Sequence, residues 1–550
     1  MFADLDIAFP TLDPRDLAAL TSRGQPRAVR AGEVLYTAGS TDVRFYVVLE
    51  GRLEIEDASG DTPRIVAEIG PGQFTGEVNT MGSRATLVTA RVVEDGRLVE
   101  LDAAELRRAV DELPELGETI IKAFLTRRDL LVSSGYTGVK IVGSRFSPAA
   151  HRLRDFATRN MVPFTWIDLE ADERADALLR QFNISPADTP VVISRSGTFR
   201  KNPSLEEFAN CAGLTSAVAE DRVYDLVVVG AGPAGLAASV YAASEGLDVL
   251  TTDALAAGGQ AGTSSRIENY LGFPAGISGA ELTRNALLQA QRFGANVTVP
   301  CVVRSLGLDG GDRVATLGDG TRVRTRCVLV ASGVEYRKLD VPGFADFEGA
   351  GIYYAATEME ARLCRGEDVV VVGGGNSAGQ AVVSLARGSR RVHLLVRAGD
   401  LGAAMSRYLV DRIQGTKNVD VHLGTVVTAL EGDERLRQVR TRTGAGEELT
   451  FTTSSLFLFI GADPNTDWLR GCVALDRKGY VLTGPALPPD ARAAEGWRLA
   501  GRTPFLLETS LPGVFAAGDV RSGSVKRVAA AVGDGSMSVS FVHAHIQRPV

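Results

Sequence analysis

The sequence predicts a multidomain α/β protein in which a β-roll and a small α/β module precede two strand–turn–helix units, one nested inside the other. Three observations predict it. Residues 227–243 pass from a β-branched run through Gly230-Ala231-Gly232-Pro233-Ala234-Gly235 into an alanine-rich stretch, and residues 369–386 repeat the pattern around Gly373-Gly374-Gly375-Asn376-Ser377-Ala378. Between 26 and 100, short β-branched runs alternate with glycines, the spacing of an all-β roll. A chain of 550 residues is also too long for one hydrophobic core.

Composition narrows the function. Hydrophobic residues at 45% and charged residues at 23% are ordinary for a globular protein. A net charge of −8 with no long basic block argues against a nucleic-acid partner. Residues 226–244 carry no charge, but Gly230, Gly232, Pro233 and Gly235 break the run into a short strand and a short helix, so no membrane span is expected. The first ten residues have no basic region followed by an apolar core, so a cytoplasmic location is expected. The five cysteines, Cys211, Cys301, Cys327, Cys364 and Cys472, form no Cys-x-x-Cys pair and no metal-ligand spacing; no metal site is expected.

Residues 1–135 read as the roll, with strands at 33–36, 44–49, 52–56, 65–69 and 86–93 and a helical stretch at 103–131. The order of elements, with Phe74-Thr75-Gly76-Glu77, resembles a cyclic-nucleotide-binding domain of the catabolite-activator type. The resemblance implies that Gly76 opens a phosphate cassette, that Glu77 takes a ribose hydroxyl and that Arg84 pairs with the cyclic phosphate. Arginine suits that task because its planar fork offers paired donors to phosphate oxygens. The segment from Glu77 to Arg84 is shorter than usual for the family, and Ala85 replaces a phosphate-binding hydroxyl. Two readings stay open: a cyclic-nucleotide site, or a docking or dimerisation module with an empty pocket.

Residues 136–216 read as strand 139–143, helix 151–159, strand 164–168, helix 175–182 and strand 190–194, with a last helix and linker after Asn202. This order resembles a thioredoxin or glutaredoxin fold, which implies a cis proline at Pro190. Ser147-Pro148-Ala149-Ala150 stands where that family carries Cys-x-x-Cys, so no dithiol exchange is expected and a packing or partner-gripping role is favoured.

The remaining chain reads as two Rossmann-like domains. The first turn aims backbone N–H groups and a helix N-terminus at a diphosphate, and the next strand, 247–252, ends in Asp253, placed for a ribose hydroxyl. Gly258-Gly259-Gln260, the stretch 267–274 with Asn269, Ala331-Ser332-Gly333 and Phe515-Ala516-Ala517-Gly518-Asp519-Val520 follow. Together these closely resemble the FAD domain of bacterial thioredoxin reductases. The resemblance implies FAD held by Gly230, Gly232, Pro233, Ala234, Gly235, Asp253, Gly259, Gln260, Asn269, Ser332, Gly333, Gly518 and Asp519. It also implies a homodimer, and a nucleotide domain at 341–462 inserted between FAD segments 222–340 and 463–550, with two short connecting strands that allow rotation. In that inserted domain Gly373, Gly375, Asn376 and Ser377 form the second turn. The following strand ends in Arg397, where an acid would favour NADH; an arginine favours NADPH, with Arg407 a possible helper and NADH the alternative.

Thioredoxin reductases carry their Cys-x-x-Cys immediately before this second turn, and here Ala355 and Glu358 occupy those two positions. A relay through a protein dithiol is therefore not expected. The resulting expectation is an FAD-dependent NAD(P)H oxidoreductase with an unidentified acceptor, a small redox protein among the candidates, and Glu358 as a candidate proton donor. The alternatives are reduction of a partner's disulfide without an internal dithiol, or a redox- and cyclic-nucleotide-responsive sensor with slow turnover.

Overall fold

The computed structural model describes residues 2–547 except 42, 58–63, 77–79, 81–84, 134–137, 173–184, 186–187, 195–197, 215–217, 219–221, 265, 310, 348–350, 355, 357, 434, 493–496 and 498–500.

The first glycine-rich unit sits at the centre of a mixed sheet. The strand Val223–Val229 lies parallel to Val249–Thr252 on one side and Arg322–Val330 on the other, and Asn296–Thr298 extends the parallel edge. Arg322–Val330 serves two partners along its other edge. Its first half pairs antiparallel with Asp312–Leu317, which continues to Val303–Asp309, and its second half pairs parallel with Val514–Ala516. A strand flanked on both faces must be apolar throughout, and Leu226, Val227 and Val228 are fully buried. The helices Pro233–Ser244 and Val528–Ile546 cover one face, so the last helix of the chain packs on the first turn.

The nested unit has its own parallel sheet, in the order Ile352–Tyr353, Leu456–Leu458, Asp368–Val372, Arg391–Val396, Val419–Leu423. An antiparallel meander of Thr425–Gly432, Leu436–Thr443 and Glu448–Thr452 packs against it. The two units are joined by an antiparallel pair of short strands, Val334–Tyr336 and Ala462–Pro464.

The N-terminal roll departs from the sequence reading: the helices Phe2–Ala8 and Pro14–Arg23 and the strand Gln25–Val29 are elements that reading does not contain, and the strand expected at 86–93 runs over Thr89–Leu101. Phe45–Asp57 is one strand of 13 residues, with register shifts against Thr89–Leu101 around Gly51. Gly51 at φ +86° forms a bulge within the strand, whereas in sequence a glycine there reads as a break between two strands. The helical stretch at 103–131 is two helices, Ala103–Glu112 and Pro114–Ser133. Pro114 has no N–H to continue the first helix but suits the first turn of the second.

The small module is a four-stranded mixed sheet, Phe164–Asp168, Val139–Gly143, Val191–Ile193, Phe199–Lys201, whose first pair is parallel and the others antiparallel. The strand Phe199–Lys201 is an element the sequence reading does not contain. The helix Pro148–Arg159 is capped by the Ser147 hydroxyl, which accepts from the Ala150 N–H, and the Thr189–Pro190 bond is cis. The helix expected at 175–182 lies outside the described residues. Among the described residues no helix is long and apolar enough to cross a membrane.

Candidate functional site

The first turn is shaped by what it cannot hold. Gly230 has φ +110°, and a Cβ there would collide with the Ala331 carbonyl; a Cβ on Gly235 would collide with the Gly230 carbonyl. Gly235 thus serves the packing of helix on turn and does not line the cavity described below. Gly232 caps the helix Pro233–Ser244 with no side-chain hydrogen bond, which leaves the helix's first N–H groups facing the cavity for an anion. Asp253 adds a role that spacing does not reveal. Its Oδ2 accepts from the Ala231 N–H at 2.8 Å, and its Oδ1 accepts from the N–H groups of Leu255 at 2.9 Å and Ala256 at 3.0 Å. The carboxylate therefore ties the turn to the following loop.

Around this turn lies a cavity of about 580 Å³. Gly230, Gly232, Pro233 and Ala234 line it from the first turn, Asp253, Gly259, Gln260 and Asn269 from the loops after it, Ser332 and Gly333 from a strand end, and Gly518 and Asp519 from the last crossover. Segments far apart in sequence thus converge on one space. Two of the lining residues are fixed by hydrogen bonds: Gln260 Nε2 donates to the Val334 carbonyl at 3.0 Å, and Ser332 Oγ donates to the Asn465 carbonyl at 2.8 Å. Burial raises the carboxyl pKa of Asp519. A cradle that Cβ atoms would fill, a helix N-terminus and the half-buried carboxylates of Asp253 and Asp519 together fit an FAD: diphosphate at the turn, hydroxyl-rich chain along the acids.

The second turn reaches the same cavity. Asn376 and Ser377, at the start of the helix Asn376–Leu385, are among its lining residues, as is Phe459. Asn376 Oδ1 accepts from the Ser406 N–H at 2.7 Å. Gly373 has φ +149° and lies against the Phe459 carbonyl with no room for a Cβ, and Gly375 caps the helix. Gly373 and Gly375 shape this turn from outside the shared cavity. Arg397 follows the strand Arg391–Val396 directly and is exposed, clear of the cavity. Arg407 Nε pairs with Asp411 at 2.8 Å on an exposed helix face.

The segment that precedes this turn is only partly described. Ala355 lies outside the described residues, and Glu358 opens the helix Glu358–Leu363. Cys364 is fully buried, and burial pushes its thiol pKa up to about 12, which makes it a poor nucleophile at neutral pH. In the roll, Gly76 has φ +102°, and its carbonyl accepts from Arg127 at 2.8 Å. Glu77 and Arg84 lie outside the described residues.

Several cavity residues escape sequence reasoning. Tyr336, from the first connecting strand, and Tyr354, from the nested domain, stack with centroids 5.8 Å apart and planes within 2°. Lys526 and Arg527 line the cavity ahead of the last helix, and Arg159 lines it from the small module. Lys526 and Arg527, so close after Asp519, have a readable position but no motif.

Comparison with known proteins gives this arrangement its place. Residues 224–535 match the pyridine nucleotide-disulphide oxidoreductase family. The chain belongs to this family. Residues 26–112 match the cyclic nucleotide-binding domain family. The thioredoxin reductase of Mycolicibacterium smegmatis is 35% identical over 314 residues, 57% of this chain and 93% of the relative. The bifunctional thioredoxin reductase/thioredoxin of Mycobacterium leprae is 32% identical over 58% of this chain and 65% of the relative. Among solved structures, T. acidophilum thioredoxin reductase superposes with a TM-score of 0.53 at 30% identity, covering 59% of this chain and 99% of that one. The chain is thus a thioredoxin-reductase-like, FAD-dependent oxidoreductase of this family with an N-terminal cyclic nucleotide-binding domain.

Proposed function

We propose that the chain is an NADPH-oxidising flavoprotein whose electrons leave the flavin without passing through a dithiol of its own. One observation carries the reading: a single cavity reaches both glycine-rich turns, lined by Gly230 and Gly232 of the first and by Asn376 and Ser377 of the second. When bound, the two cofactors supply hydride transfer and two-electron storage. The residues supply placement. Gly232 and the helix behind it receive the FAD diphosphate, Asp253 and Asp519 the sugar-like portions, and Gly375, Asn376 and Ser377 the pyridine nucleotide. The exposed Arg397 at the strand end suits the 2′-phosphate of NADPH, and Glu358 holds the proton that accompanies electron exit. The paired strands Val334–Tyr336 and Ala462–Pro464 are a narrow connection suited to rotation between the two domains.

The absence of a Cys-x-x-Cys in the sequence, together with the buried Cys364, supports an acceptor reduced directly at the flavin. Residues 136–216 in this reading are a thioredoxin-like module without its cysteines, consistent with the cis Thr189–Pro190 bond and the mixed sheet. The M. leprae relative, named as a thioredoxin reductase joined to a thioredoxin, supports a second reading in which the acceptor is a partner's disulfide. The test is anaerobic stopped-flow of the FAD-loaded protein against NADPH and, separately, NADH. Fast bleaching by NADPH is the expected result. Little bleaching by either nucleotide would leave a sensor as the better account.

A further inference from the structure

Arg159 is the last residue of the helix Pro148–Arg159, more than 70 residues before the first glycine-rich turn in sequence. In space it lines the same cavity as Gly230 and Gly232. Its Nη2 donates to the Gly259 carbonyl at 3.2 Å, its Nη1 lies 3.8 Å from Asp155 one helical turn earlier, and only 19% of its side chain is exposed. Gly259 in turn lies against the turn: a Cβ built on it would be 2.9 Å from the Gly232 Cα. The guanidinium is therefore held beside the backbone that receives the diphosphate.

The neighbouring contacts show that this placement is built. Asn160 is buried, and its Nδ2 donates to the Phe156 carbonyl at 2.9 Å and to the Leu255 carbonyl at 3.0 Å. Leu255 itself packs against the module's core. Residues 255–259 are thus gripped at both ends by the small module, and Asp253 anchors the near side of the same loop. The guanidinium commits one N–H to the Gly259 carbonyl and lines a cavity that fits a dianionic diphosphate, whose oxygens its planar fork can pair with.

We propose that Arg159 is a ligand of the FAD, so that cofactor binding and the seating of the 136–216 module on the flavin domain are coupled. The proposal rests on the flavoprotein reading given above. Coupling of this kind is reciprocal: if the docked module strengthens FAD binding, FAD strengthens docking by the same factor. A module that carries no dithiol then has a purpose within the reductase as part of the cofactor site.

The test uses full-length apoprotein titrated with FAD, read by flavin fluorescence, for wild type, Arg159→Gln and Arg159→Lys, with hydrogen exchange of residues 148–160 measured with and without FAD. The expected result is at least about tenfold weaker FAD binding in Arg159→Gln, the scale of one charge-assisted hydrogen bond, and a smaller loss in Arg159→Lys. FAD should also slow exchange along the helix in wild type. Equal FAD affinity in Arg159→Gln overturns the proposal. The exchange arm needs no variant, so helix amides indifferent to FAD in wild type overturn it even if Arg159→Gln fails to fold. A wild-type chain that takes up no FAD overturns the flavoprotein reading, whereas FAD uptake without these effects overturns only the role of Arg159.

Discussion

His151 of the small module places its imidazole 5.4 Å, centroid to centroid, from the Tyr353 ring of the nested domain, with Nε2 4.0 Å from the Glu360 carboxylate. The helix that ends in Arg159 at the cavity thus begins against the nested domain. One helix touches both, so its seating is sensitive to how the two are oriented.

This contact predicts a pH dependence. Burial first, then Arg154 and Arg152, lowers the His151 pKa from 6.5 to about 4. In the unfolded chain the imidazole takes a proton as pH falls below 6.5, whereas in the folded chain it does so only near 4. Stability from this group is complete above 6.5 and is lost progressively as pH falls from 6.5 towards 4. Thermal unfolding followed from pH 7.5 to 4.5 should show a drop that is smaller in His151→Gln. Asp155, whose pKa burial raises, acts in the opposite sense, so the difference between variant and wild type is the informative quantity.

Gly535 of the last helix crosses Ala234 with no room for a side chain, because a Cβ would collide with the Ala234 carbonyl. Gly535→Ala should destabilise the protein by about 1–3 kcal/mol through overpacking. It should also lower the FAD content of the purified protein, since Ala234 belongs to the turn. Unchanged melting temperature and full flavin content would show that the helix can shift away at no cost.

Arg397 stands exposed at the end of the strand Arg391–Val396. Arg397→Ala should raise the NADPH concentration for half-maximal flavin reduction about tenfold, the scale of a charge-assisted phosphate contact, and leave NADH nearly unaffected. An equal effect on both nucleotides would place the 2′-phosphate elsewhere.

Glu358 heads the helix Glu358–Leu363 in the segment just before the second turn. If it supplies the proton that leaves with the electrons, Glu358→Gln should spare reduction by NADPH and slow reoxidation by a quinone acceptor, with a flattened pH profile. Reoxidation identical to wild type at every pH would remove Glu358 from the mechanism.

The two turns were legible because their glycines encode clearance: Gly230, Gly235 and Gly373 each stand where a side chain would strike a carbonyl. Arg159 was not, because its contact with Gly259 joins residues far apart in sequence and belongs to no local pattern. Asp253 was legible as an acid at a strand end, but its three backbone partners depend on how the chain folds back after it. Gly51 misled, since a glycine bulge inside a long strand and a glycine turn between two strands read alike. Pro114 was visible, yet helical periodicity on either side masked the boundary it makes.

Direct exit of electrons from the flavin requires that the flavin alone stores the pair taken from NADPH. Anaerobic titration of the FAD-loaded protein with NADPH, followed at the flavin absorbance with thiols counted before and after, tests it most directly. Full bleaching at one equivalent of NADPH per flavin, with no new thiols, is expected. A second equivalent consumed, with two thiols appearing, would contradict it.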